Sequence, residues 1–112
     1  MTESKTIRIG QIIKLKPEHR DEYIQKHQLI WPEVLRVIKD SNIQNYSLFV
    51  KDCYLFGYFE YVGNDFEADW SKMVNAPRMK DWWALMTPLM EPLPTRAEGE
   101  FWANMQQIFF LE

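Results

Sequence analysis

Two residues near the start of the chain have the types and the spacing that proton transfer needs. His27, one of two histidines in 112 residues, follows Tyr23 by four positions and precedes Trp31-Pro32 by four. On a helix of 3.6 residues per turn, positions i and i+4 lie about 40° apart, so the Tyr23 phenol and the His27 imidazole point the same way. Imidazole is the side chain whose ordinary pKa, about 6.5, lets it give and take a proton near neutrality. Acid/base chemistry is expected here, although the same spacing also describes two rings packed at an ordinary interface. His19 lies more than about 10 Å from His27 along one helix, and no cysteine or dense carboxylate set completes a metal site, so His19 reads as a surface residue.

The elements that must position this pair follow from periodicity. Within 6–15, Ile7, Ile9, Ile13 and Leu15 fall at odd positions, the alternation of a strand with one buried face. Pro17 suits the first turn of a helix, and Glu18, Asp21 and Glu22 favour its positive end, which predicts a helix over about 17–28. Pro32 breaks that helix around 29–32, and the helical pattern resumes toward Ser41 with Val34, Leu35 and Ile38 on one stripe. Residues 43–50 and 53–62 are rich in β-branched and aromatic types around Lys51-Asp52, an antiparallel hairpin. On its first strand Tyr46, Leu48 and Val50 share a face, with Ile43, Ser47 and Phe49 among the odd positions.

Further along, Phe66, Trp70, Met73 and Val74 recur at helical spacing, and Ala76-Pro77 opens another helix bearing Met79, Trp82, Trp83 and Met86. Pro88 ends or kinks it. The Met-rich face, with Met90, reads as packing and not as a cofactor box. Residues 91–99, with two prolines and a glycine, read as a surface loop, and 105–111 as a last strand, apolar on both sides and expected to be buried on both. The order βαββαβ is the ferredoxin-like α+β sandwich: an antiparallel sheet with helices on one face, here one domain over 1–112 with residues 1–5 flexible.

Bulk properties narrow the function classes. A net charge of −3, without a run of Lys and Arg, removes the electrostatic footprint that nucleic acid and anionic membranes require. No apolar run approaches the roughly 18 residues of a membrane span, and no secretory leader is recognisable. The lone Cys53 fits a reducing compartment, so a cytoplasmic location is expected. Five Trp, five Tyr and seven Phe exceed what so small a core needs and leave rings for a binding surface.

Four motifs, Tyr23-x3-His27-x3-Trp31-Pro32-Glu33, Asn45-Tyr46, Trp82-Trp83-x2-Met86-x3-Met90 and Phe109-x-Leu111, resemble those of the L-rhamnose mutarotase family over nearly the whole chain. The resemblance implies a homodimeric sandwich that interconverts the α and β anomers of a 6-deoxy sugar. It places His27 at the position of the family's proton donor and Tyr23, Tyr46, Trp82 and Trp83 at positions that contact the sugar. The segment 91–102 departs from the family's Asn-, Asp- and Ser-rich one, which bears on which sugar is accepted, L-rhamnose first and L-fucose next.

Anomerisation opens a hemiacetal, turns the aldehyde and recloses the ring. One group protonates the ring oxygen while another takes the proton of the anomeric hydroxyl. No metal or redox cofactor is called for. Tyrosine and tryptophan suit a pyranose, whose C–H face packs on a ring while phenol and indole polar atoms meet hydroxyls. Adjacent Trp82 and Trp83 are about 100° apart on a helix, so one is expected to stack and the other to support the wall. The general base is unassigned, with Glu22, Glu60 and Asp81 candidates by type only and a second phenol or a water equally open. Two other readings use the same fold: a sugar-binding module without activity, and a cofactor-free monooxygenase-like enzyme.

Overall fold

The computed structural model describes residues 5–112, so the flexibility expected for residues 1–5 lies, for its first four positions, outside the described residues. Strand β1 (Ile7–Leu15) runs into a 3₁₀ turn (Pro17–His19) and helix α1 (Arg20–Lys26). After a break come α2 (Pro32–Asp40), β2 (Ile43–Lys51) and β3 (Tyr54–Tyr61), then α3 (Phe66–Asn75) and α4 (Pro77–Met86). The chain then takes a second 3₁₀ turn (Thr87–Leu89) into short strands β4 (Met90–Glu91) and β5 (Ala103–Met105). The punctuation is chemical. Pro32 and Pro77 occupy first helical turns, where a missing N–H costs nothing, and the Asp65 carboxylate caps α3 by accepting from the Ala68 N–H at 3.1 Å. Such a cap contributes about 1 kcal/mol.

The sheet order is β2-β3-β1-β4 with every pair antiparallel, the ferredoxin-like order expected from βαββαβ. Odd residues of β1 and β3 face the helices, and Ile13, Leu15, Leu55, Phe59 and Tyr61 are buried there against Val34, Met73, Met79 and Met86. The reversal after Lys51 is completed by Asp52 with a positive φ of 54°, a conformation that aspartate tolerates better than most residues.

Two elements depart from the sequence reading. The expected last strand over 105–111 is not formed: pairing with β1 stops at Met105, and Ile108, Phe109 and Leu111 are 89%, 77% and 79% exposed. Apolar composition alone favours burial, but the segment leaves the sheet after Met105 although β1 continues to Ile7, and Phe110 is held under the Arg8 guanidinium at 3.6 Å. The fourth strand position is instead split. Met90 and Glu91 pair with Leu15 and Lys14, the chain leaves the sheet through 92–102, and Ala103 returns opposite Ile12.

The second departure is a bulge. Between Gln44 and Ser47 the register of β2 against β3 shifts, and Asn45 adopts a positive φ of 52°. An extra residue inverts the alternation, so Ile43 before the bulge and Tyr46, Leu48 and Val50 after it all belong to the helix side, where strict alternation would have separated them.

Candidate active site

Helix α1 supplies the first part of the site. Tyr23 is buried on its inner face, and His27 stands one turn later at its C-terminal end with its ring stacked on that of Tyr23, centroids 4.1 Å apart. The ring does not float: Nδ1 lies 2.9 Å from the Tyr23 carbonyl oxygen. A carbonyl can only accept, so Nδ1 carries the proton and, in the neutral ring, Nε2 keeps the lone pair. Burial lowers the His27 pKa below its ordinary value, against a smaller upward pull from the Tyr23 carbonyl. The resting imidazole is a neutral base held in one tautomer.

Helix α4 supplies the second part. Trp82 is buried and meets both the His27 ring and the Trp31 ring edge-on, each at 5.3 Å. The Arg78 guanidinium covers the Trp31 ring at 4.1 Å, closing the outside of this stack. Trp82 is thus packed against the imidazole, whereas Trp83, about 100° round the helix, is half-buried.

The sheet supplies the floor. Tyr46, turned inward by the bulge, stacks on Phe59 at 5.2 Å, and Phe59 on Trp70 at 5.8 Å. Tyr46 as a whole residue is 41% exposed, and burial pushes its phenol up to about 12. Burial raises the Tyr23 phenol further, with the Tyr46 phenol close enough to add to the effect. Both phenols stay protonated at neutral pH and serve as hydrogen-bond donors.

Tyr23, His27, Tyr46, Trp82 and Trp83 all line one cavity of about 1240 Å³ between the sheet and the helices. The carboxylates considered as bases do not. Glu60 lies on the opposite face of the sheet, bonded by Tyr58, Gln44 and Asn45, while Glu22 pairs with His19 and Lys26 and Asp81 with Arg78 at the surface. Among the described residues the carboxylate that lines the cavity is Glu100, in the loop over 92–102.

That loop also carries residues that the sequence reading passed over. Trp102 lies against Gly57 of β3, where a Cβ would come within 3.2 Å of its ring, and Asn104 and Gln11 are hydrogen-bonded on the cavity wall. One signal was present in the sequence: Gln11 is the polar member of the odd-numbered series Ile7, Ile9, Ile13 and Leu15. Nothing in the local sequence marks Trp102, because its place depends on where a non-regular loop returns to the sheet.

Fold and cavity define the class: a ferredoxin-like α+β sandwich whose helix-covered face holds an aromatic pocket around one imidazole. The chain belongs to the L-rhamnose mutarotase family, whose model matches residues 8–111. It is 30% identical to the L-rhamnose mutarotase of Ligilactobacillus salivarius over 96% of this chain and 99% of that one. It is 37% identical to the L-rhamnose mutarotase of Oceanobacillus iheyensis over 75% and 80% of the two chains. The crystal structure of an L-rhamnose mutarotase from Formosa agariphila superposes with a TM-score of 0.72 at 24% identity, covering 95% of this chain and 99% of that one, a match of fold.

Proposed function

We propose that the protein is an isomerase that interconverts the α and β anomers of L-rhamnose. The observation that carries this reading is the neutral, tautomer-fixed His27 imidazole stacked on Tyr23 in an aromatic cavity that also holds Tyr46 and Trp83. The sugar's C–H face packs on an aromatic wall, and its methyl group finds apolar surface. Because Nδ1 is committed to the Tyr23 carbonyl, Nε2 takes the anomeric proton as the ring opens and the imidazolium returns it when the ring closes on the other face. His27 thus acts as the proton donor in the second half of the cycle and as the acceptor in the first. The protonated Tyr46 phenol, directed into the cavity from the floor, is the partner for the ring oxygen. No step asks for a metal or redox group.

The working unit in this proposal is a homodimer. Its support is the outer sheet face, where Phe49 is 66% exposed and the apolar tail Ile108–Leu111 lies uncovered apart from Phe110. No helix among the described residues is long and apolar enough to cross a membrane. A cytoplasmic location accords with the unpaired Cys53.

Saturation-transfer NMR of L-rhamnose tests the reading. The native protein should speed exchange between the two anomeric resonances, and His27→Ala should remove an acceleration of about 10² to 10⁴ while circular dichroism stays native. Unchanged exchange in the variant would take His27 out of the mechanism, and no acceleration by native protein would refute the reading.

A further inference from the structure

We propose that Gln11, Asn104 and Glu100, with the Trp102 ring, form a second binding subsite that holds pyranose hydroxyls remote from the anomeric carbon and sets which sugar is accepted. The inference rests on the mutarotase reading and adds the determinant of its substrate.

Sheet register fixes the placement. On the helix side, Phe59 and Ile9 are paired, with the Tyr46 ring stacked on Phe59 from the bulge of β2, and Leu48, Gly57 and Gln11 form the next row, extended by Asn104 of β5. Neighbouring rows on one face are about 7 Å apart along the strands, comparable with the width of a pyranose. In the second row the missing side chain of Gly57 leaves the gap that Trp102 covers, its ring within van der Waals reach of where a Cβ would stand. A sugar placed with its anomeric carbon toward His27 and Tyr46 reaches this second row with its other edge.

Polar valence then points to a ligand. Glu100 can only accept, so the amide it bonds at 2.7 Å is the NH₂ of Asn104, which turns the Asn104 Oδ1 toward Gln11. Gln11 Nε2 donates to that oxygen at 3.1 Å, which in turn leaves the Gln11 Oε1 and one N–H directed elsewhere. The carboxylate thus sets both amide orientations in sequence. Glu100 is itself immobilised: its Oε1 accepts from the Ala97 N–H at 2.9 Å, and its own N–H donates to the Ala97 carbonyl at 3.1 Å. Among the described residues these bonds use one N–H of each side-chain amide. An acceptor and two donors remain on the cavity wall, the mixture that vicinal hydroxyls require. A purely structural role would not need a polar residue at Gln11, since the positions flanking it on that face are isoleucines.

A pre-oriented amide that hydrogen-bonds a hydroxyl rejects sugars whose hydroxyl points away. Gln11→Leu, Asn104→Leu and the conservative Gln11→Asn should be compared with native protein for L-rhamnose and L-fucose, which differ in configuration at C2 and C4. Anomer exchange over a range of sugar concentrations and calorimetric binding are both read, with thermal unfolding as the check on folding. We expect KM and Kd for L-rhamnose to rise about tenfold in either leucine variant, the preference between the two sugars to narrow, and Gln11→Asn to recover part of both. Native affinity and native preference in every folded variant would overturn the subsite while leaving the mutarotase reading intact. Native protein that binds but does not exchange either sugar overturns that reading, and the binding arm still decides the subsite. Native protein that neither binds nor exchanges removes both.

Discussion

His27 illustrates how a backbone carbonyl can set chemistry. Burial favours the neutral imidazole, so its folded pKa lies below the unfolded value of about 6.5. Two consequences follow in opposite measurements. The acid limb of the anomer-exchange rate should fall below pH 6.5, because the reaction needs the free Nε2 and loses it only when the lowered pKa is reached. For stability, the unfolded chain binds the proton first as pH drops, so the contribution of neutral His27 is present above about 6.5 and is lost as pH falls through the lower folded pKa. Denaturant titrations across that window should show this loss in native protein and not in His27→Gln. Much of this site was legible in the chain, since helical spacing alone aligns Tyr23 with His27 and separates Trp82 from Trp83 by about 100°. Gln11 was legible only as an exception to an alternating pattern. The tautomer was not legible at all, because it depends on the Tyr23 carbonyl in the last turn of α1, which accepts from the His27 backbone N–H as well as from its ring.

At the scale of elements, the bulge in β2 decides whether Tyr46 reaches the site. Its left-handed Asn45 can be kept by glycine but not by a β-branched residue, and the Asn45 amide also bonds Glu60 at 3.0 Å on the outer face. Asn45→Val should cost about 1–2 kcal/mol in thermal unfolding and raise KM for L-rhamnose as Tyr46 shifts, whereas Asn45→Gly should keep the sugar affinity closer to native. Gly57 offers a complementary handle from β3. A valine there would push against Trp102 and Leu48, so Gly57→Val should cost about 1–3 kcal/mol by overpacking and change the tryptophan fluorescence, with the Trp102→Phe background abolishing the fluorescence change. Strand order and helix starts were readable because prolines and alternation mark them. The bulge was not, since a single extra residue leaves no periodic trace over so short a strand, and the split of the edge strand hides in a loop whose return point depends on β1.

For the whole molecule, the uncovered outer face and tail predict association. Light scattering should give about twice the chain mass of 13.5 kDa, and Phe49→Glu should shift the population toward the monomer. A monomeric native protein would remove the dimer from the proposal without touching the chemistry of His27, which lies on the other side of the sheet. The divided edge strand has a further consequence. Both anchor points of 92–102 are held by adjacent stretches of β1, so the segment enters and leaves the sheet at fixed places whatever its own sequence. Different lengths and compositions can be spliced between those anchors while α1 and its imidazole stay where they are. Under the proposed subsite, evolution, or an engineer, has an exchangeable cassette for sugar choice mounted on an unchanged frame for His27.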